Sequence, residues 1–130
     1  NIDYDVFVKV VNRVAEYKIL NKQNDEAINI YKKTITSLKD SGSKQNVLRA
    51  KMLLSLGDLY NNTNENVKAA ITCYEEAVEL IKKLPRTNYL RQNRTAYLTV
   101  LKGLYDRDGQ FHKVSEIDVE LARERRFSFL

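Results

Sequence analysis

Few residues of this 130-residue chain have side chains suited to catalysis or metal binding. His112 is the only histidine, so a histidine-based metal cluster or a catalytic triad cannot be built within the chain. Cys73, the only cysteine, lies on the apolar side of a predicted helix, which favours packing over reactivity. Glu75, Glu76 and Glu79 have the spacing of a solvated helix face that pairs with nearby lysines. We therefore expect no enzyme activity, no metal and no cofactor.

The composition indicates one folded domain. Hydrophobic residues make up 43% and charged residues 30% of the chain, and the formal net charge is +5. No apolar stretch has the length that a membrane span needs, so we expect no membrane insertion. The chain has no initiator Met and no signal-like start, which we interpret as a fragment of a longer protein. We expect a cytoplasmic location, with a periplasmic sensor region as the alternative.

Arginines lie beside aromatic residues in two stretches, "PRTNYLRQNR" (85–94) and "ARERRFSFL" (122–130). Such clusters can contact a nucleic-acid backbone and stack on bases. Neither stretch matches a known nucleic-acid module, however, and arginine is also enriched at protein interfaces. Nucleic-acid binding is therefore a weaker alternative than protein binding.

The chain repeats itself at a period of 43 to 45 residues. A shift of 43 residues superimposes Tyr17 on Tyr60, Ala27 on Ala70, Ile28 on Ile71 and Tyr31 on Tyr74; a shift of 45 superimposes Tyr60 on Tyr105. The chain divides into three units of one domain, at about 1–42, 43–86 and 87–130. Duplication of a helical unit therefore dominates the organisation of this sequence.

Apolar residues at three- and four-residue spacing predict two helices in each unit. The predicted helices span residues 3–21, 24–40, 45–62, 65–84, 88–107 and 110–127. The first is ambiguous because Val6, Val8 and Val10 alternate as in a strand. We nevertheless predict a helix, because the repeat register aligns Val10 with Leu53 and Tyr17 with Tyr60. Small residues, among them Gly57 and Ala70, should allow the two helices of a unit to approach closely.

This pattern resembles the tetratricopeptide repeat family. The matching residues are Leu56, Gly57 and Tyr60 in one helix, Ala70, Tyr74 and Ala77 in the next, and Tyr105 and Gly109 in the third unit. The period exceeds the usual 34 residues of that family, and Val10, Leu53 and Leu98 replace its tryptophan. The longer period is similar to that of kinesin light chains and of the sensory regions of bacterial regulators and histidine kinases.

The resemblance implies an all-α fold, a right-handed solenoid of three antiparallel helix pairs. It also implies a concave groove that binds a peptide or protein segment. The candidate groove residues are Asn12, Lys18, Lys51, Leu54, Asp58, Asn61, Asn62, Thr99 and Arg107. We expect a non-catalytic protein-binding module, the sensory or regulatory part of a larger bacterial signalling or transcription-regulatory protein. The alternative is a purely structural scaffold or dimerisation segment.

The last predicted helix has more apolar residues than one narrow stripe accommodates, and "RFSFL" follows it. A terminal repeat needs a polar outer face, because no neighbour covers it. We therefore expect this end either to receive a further helix or to form a weak homodimer. The candidate self-association residues are Val119, Phe127, Phe129 and Leu130.

Overall fold

The computed structural model describes residues 3–63 and 66–128, with side chains described as far as Arg125. The described part of the chain is all-helical and has no strand. Its helices are α1 (Tyr4–Leu20), α2 (Asn24–Asp40), α3 (Asn46–Asn62), α4 (Val67–Lys82), α5 (Tyr89–Gln92), α6 (Arg94–Arg107) and α7 (Phe111–Ser128). A short 3-10 turn, Ser43–Gln45, precedes α3.

The helix predicted over residues 3–21 is confirmed as α1, although its valines alternate. Asp3 caps it, because its carboxylate accepts a hydrogen bond from the amide of Val6 at 3.2 Å. The helix predicted over residues 88–107 is instead interrupted at Asn93, whose backbone leaves helical geometry between α5 and α6. The side-chain amide of Asn93 donates to the carbonyl of Tyr89 at 2.9 Å and so stabilises the interruption.

The principal helix contacts join successive helices: α1 packs on α2, α2 on α3, α3 on α4, α4 on α6, and α6 on α7. Two hydrophobic clusters result. One joins α1, α2 and α3, with Cys73 of α4 at its edge, and the other joins α3, α4, α6 and α7. Helices α3 and α4 contribute to both clusters, so they form the centre of the structure.

The close approach of α3 and α4 depends on Gly57. A Cβ atom at this position would lie 2.7 Å from the Tyr74 ring and 3.3 Å from the Cys73 Cβ, distances that real side chains do not tolerate without movement. Ala70, on the facing side of α4, is fully buried. The sequence prediction that a small residue permits this contact is confirmed for Gly57.

The turns that follow α1 and α6 have the same hydrogen bonds. The amide of Gln23 donates to the carbonyl of Lys18, and the amide of Gln110 donates to that of Tyr105, both at 2.8 Å. Each turn has one residue with positive φ, Gly109 at 75° in the last unit and Lys22 at 60° in the first. Both turns are Schellman motifs, in which glycine is the favoured residue at the positive-φ position.

These turns establish which positions of the first and third units are equivalent, counted back from the C-cap residues Asn21 and Asp108. In the second unit the same count from the C-cap Thr63 places the buried Ala50, Leu53 and Gly57 opposite the buried residues of α1, Val8, Val11 and Ala15. Val10 is then equivalent to Met52, not to Leu53 as the 43-residue shift predicted. The first helices of units one and two are offset by 42 residues, and the second helices by 43, because the connecting segment differs by one residue. The predicted register of α1 is therefore wrong by one position.

Candidate functional site

One pair of candidate residues, Asn61 of α3 and Arg107 of α6, meets although the two residues belong to different repeat units. The guanidinium of Arg107 donates a hydrogen bond to the side-chain oxygen of Asn61. The ammonium nitrogen of Lys51 lies 5.2 Å from the centroid of the Tyr89 ring, within the range of a cation–π contact. We call Lys51, Asp58, Asn61, Asn62 and Arg107 the α3–α6 surface. The Asn61–Arg107 hydrogen bond and the contact of Lys51 with Tyr89 of α5 join the second unit to the third.

Asp58 connects this surface to the core, because its carboxylate accepts a hydrogen bond from the Tyr74 hydroxyl. Burial raises the pKa of Tyr74, and the hydrogen bond to Asp58 with its negative charge raises it further. Tyr105 makes the same kind of contact with Glu75, and its pKa is raised by burial and by that carboxylate. Both tyrosines therefore remain neutral hydrogen-bond donors at physiological pH, which fixes the two carboxylates in place.

The other candidate groove residues lie in separate environments. The Lys18 ammonium is 3.0 Å from the Glu26 carboxylate of α2. Leu54 is 8% exposed and belongs to the hydrophobic core, so it contributes packing. The exposed Thr99 donates its hydroxyl to the Thr95 carbonyl at 2.8 Å. Asn12 is half-buried on α1.

A pocket of about 380 Å³ lies where α1, α2 and α3 meet, beside Asp58 and Asn62 of the α3–α6 surface. Asn24, Tyr31, Ser55 and Thr63 complete its polar lining. The Oδ1 atom of Asn24 is buried and has no hydrogen-bond partner within the described part of the chain. Sequence reasoning missed Asn24 because an asparagine at the start of a helix usually indicates a cap. The acceptors that the pocket offers to a hydrogen-bond donor are therefore those of the exposed Asp58 and Asn62, since the Asn24 Oδ1 atom is itself buried.

The arginines of the third unit are engaged in an internal ion-pair network. Arg94 is 1% exposed, and its guanidinium lies 2.5 Å from Glu120 and 2.9 Å from Glu124. Its Nε atom donates to the carbonyl of Val78 at 3.1 Å, and Arg91 lies 3.0 Å from Glu124. This network, Arg91–Arg94–Glu120–Glu124, connects α7 to α4, α5 and α6. Two arginines that suggested nucleic-acid contacts thus have carboxylate partners inside the chain.

Two opposing effects set the pKa of Glu124. Burial raises it, but hydrogen bonds and positive charges from Arg91 and Arg94 outweigh burial, so the pKa lies below its ordinary value of 4.5. The carboxylate is consequently ionised at neutral pH, as the ion pairs require.

The predicted self-association residues are only partly described. Val119 is 54% exposed on the outer face of α7. Phe129 and Leu130, and the side chain of Phe127, lie outside the described residues. The predicted dimer contact therefore stays a prediction.

The residues with reactive side chains are dispersed. Cys73 is buried, and burial raises the pKa of its thiol to about 11, so the thiol is protonated at neutral pH. His112 is exposed near the start of α7. Within the described residues, no group of three or more His, Cys, Asp or Glu side chains could hold a metal ion, and no helix is long and apolar enough to cross a membrane.

Comparison of the chain with protein-family models, with curated proteins and with solved structures gives no match.

Proposed function

We propose that this chain is a non-catalytic protein-interaction module that binds a peptide or protein segment on the α3–α6 surface. In this proposal its helices form a right-handed solenoid of three antiparallel pairs, of the tetratricopeptide kind. The contacts between successive helices support a stack of this type, since each unit of a solenoid contacts mainly its neighbours. The equivalent turns after α1 and α6 support repetition of one unit.

The observation that most supports binding is the meeting of side chains from two units on the α3–α6 surface. Asn61 and Asn62 have amide groups that can pair with the backbone of an extended segment. Lys51 and Arg107 add positive charge, and Asp58 adds one carboxylate held by Tyr74. A surface with donors, acceptors and a neighbouring tyrosine ring suits a mixed polar and apolar peptide.

The pocket beside Asp58 gives this proposal a side-chain preference. Its accessible acceptors include the carboxylate of Asp58 and the side-chain oxygen of Asn62. A hydrogen bond to a charged group contributes about 1.5–3 kcal/mol, so a ligand that donates one to the Asp58 carboxylate gains affinity. We infer that a lysine or arginine side chain of the bound segment enters this pocket.

In a longer protein, such a module would act as the sensory or regulatory part, passing the effect of binding along the packed helices. A nucleic-acid role is less well supported, because Arg91 and Arg94 already pair with Glu120 and Glu124.

A displayed peptide library, selected on the whole 130-residue chain, tests the proposal. We expect the selected peptides to contain a basic residue and to bind the triple variant Lys51→Ala, Asn62→Ala, Arg107→Ala at least about tenfold more weakly. The matched control is Thr72→Ala, Glu76→Ala, Lys83→Ala, at exposed positions of α4 and its C-cap. Equal loss in both variants, or peptides insensitive to both, would contradict binding on this surface.

A further inference from the structure

Helix α1 has a second apolar stripe that no part of the described structure covers. Phe7, Val10, Val14 and Tyr17 follow one another at spacings of three, four and three residues, which places them on one side of the helix. They are 36%, 56%, 41% and 65% exposed. The buried side of α1 is formed by other residues, Val8, Val11 and Ala15. We call Phe7, Val10, Val14 and Tyr17 the α1 outer stripe.

The equivalent positions of α3 are buried. Counted from the C-cap residues, Val10, Val14 and Tyr17 correspond to Met52, Leu56 and Leu59, which are 1%, 4% and 6% exposed. These three side chains belong to the hydrophobic cluster that includes Ala27, Tyr31 and Leu38 of the preceding helix α2. In the second unit, therefore, an amphipathic helix covers this stripe.

The third unit repeats this arrangement. The same count leads to Tyr97, Leu101 and Leu104 of α6, and the two leucines are 2% and 1% exposed. They share a hydrophobic cluster with Ile71, Val78 and Ile81 of the preceding helix α4. In both the second and the third unit, therefore, an amphipathic helix covers the residues equivalent to Val10, Val14 and Tyr17.

We propose that the α1 outer stripe is a docking surface for an amphipathic helix of a partner, one that resembles α2. Its contacting face would contain aliphatic residues and a tyrosine at three- and four-residue spacing, as α2 does with Ile28, Tyr31, Ile35 and Leu38. A residue at the edge of the stripe indicates which charge the partner helix would have there. Arg13 is exposed there, at the position that Ser55 and Val100 occupy in the other units, so a carboxylate on the partner helix would pair with it.

A second copy of this chain is a poorer occupant. On the exposed side of its α7, as far as side chains are described, the large apolar residues Phe111 and Val119 are eight positions apart and separated by the exposed Ser115, so they form no continuous apolar stripe. Two α1 helices could pair antiparallel, with Val10 against Val14 of the mate. The two-fold axis would then pass beside residue 12 and bring the Arg13 side chains of both copies close together, which like-charge repulsion disfavours.

The test uses a labelled peptide with the sequence of residues 23–41 and the whole 130-residue chain. An Asn29→Glu change in the peptide permits a lactam bridge to Lys33, which keeps it helical; both positions are exposed in α2. We expect saturable binding by fluorescence anisotropy, and an affinity at least about tenfold lower for the chain variant Val10→Gln, Val14→Gln, because two apolar contacts are lost. A peptide of scrambled sequence should not bind.

The matched control for the chain is Lys9→Gln, Glu16→Gln, which changes two exposed residues on the polar side of α1 and leaves the net charge unchanged. We expect it to bind the peptide as the parent chain does. Absence of binding by the parent chain, or equal affinity in all three proteins, would overturn the proposal. So would sedimentation showing that the parent chain dimerises and that the valine variant is a monomer, because the occupant would then be a second copy.

Discussion

Helices α1 and α7 each have one side without a neighbour in the described structure, and the two sides differ in chemistry. The free side of α1 has the apolar residues Phe7, Val10, Val14 and Tyr17. The free side of α7 is mixed over its described side chains: Ser115 and Arg123 are exposed there together with Phe111 and Val119, which are 65% and 54% exposed. A polar outer face is what allows a helical stack to end in water. The exposed apolar residues of α7 are therefore scattered among polar ones over the described side chains, whereas those of α1 form a continuous stripe.

The two helices also attach differently to the rest of the fold. Val8, Val11 and Ala15 attach α1 to α2 through apolar packing. Among the described side chains of α7, one hydrophobic residue is buried, Ile117, and an ion-pair network centred on the buried Arg94 adds to its attachment. The attachment of α7 should therefore respond to charge and pH more strongly than that of α1.

The largest effect is expected from removing the carboxylates of this network. In the double variant Glu120→Gln, Glu124→Gln the buried Arg94 keeps its charge but loses both ion-pair partners. The free energy of unfolding should fall by about 3–5 kcal/mol, measured by urea titration followed by circular dichroism. The control is Glu116→Gln on the exposed side of α7, 3.7 Å from Lys113, which should cost less than about 0.5 kcal/mol. Similar losses in both proteins would mean that the buried network does not hold α7 in place.

A smaller effect is expected from pH. The pKa of Glu124 in the folded protein lies below its ordinary value of 4.5, because Arg91 and Arg94 outweigh burial. The folded state therefore binds this proton less readily than the unfolded state, so the stabilisation is present above pH 4.5 and is lost as pH falls further. We expect the difference in unfolding free energy between the parent chain and Glu124→Gln to shrink from pH 6 towards about pH 3. A difference that stays constant over this range would contradict the ion-pair account.

The smallest effect compares the two Schellman turns. Lys22 has a positive φ of 60° in the first unit, where the last unit has Gly109 at 75°. Lys22→Gly should raise the free energy of unfolding by about 0.5–1 kcal/mol, because glycine adopts this conformation without steric strain. Gly109→Ala should lower it by about 1 kcal/mol, since no atom lies within 4 Å of the added Cβ and backbone strain alone acts there. Thermal unfolding of each variant measures the change in stability. Changes of the same sign in the two variants would contradict the equivalence of the two turns.

Local patterns in the sequence determined the helices, because apolar spacing and breaking residues act within a few turns of the chain. The polar segment after Tyr60 and the Pro85 region separate helices where the pattern predicted. Gly57 could also be assigned to a close helix contact, since a glycine among bulky apolar residues lets a second helix approach its backbone. The sequence could not locate the pocket where α1, α2 and α3 meet. Two of its lining residues, Asn24 and Asp58, lie 34 positions apart and come together only through packing of α2 on α3.

The tertiary structure alone decided which apolar residues of α1 are buried and what the arginines do. Helix α1 has two apolar stripes, and its periodicity does not distinguish them; the contact with α2 buries Val8, Val11 and Ala15 and leaves Val10, Val14 and Tyr17 exposed. Arg94 belongs to a basic stretch that suggested nucleic-acid contacts, yet it is buried between Val78 and two carboxylates of α7. Those partners are 16 to 30 residues away in sequence, and only the packing of α4, α6 and α7 brings them together. The periodicity of the sequence shows which residues share one side of a helix. Which side is buried, and which charged residues pair, depends on which helices become neighbours.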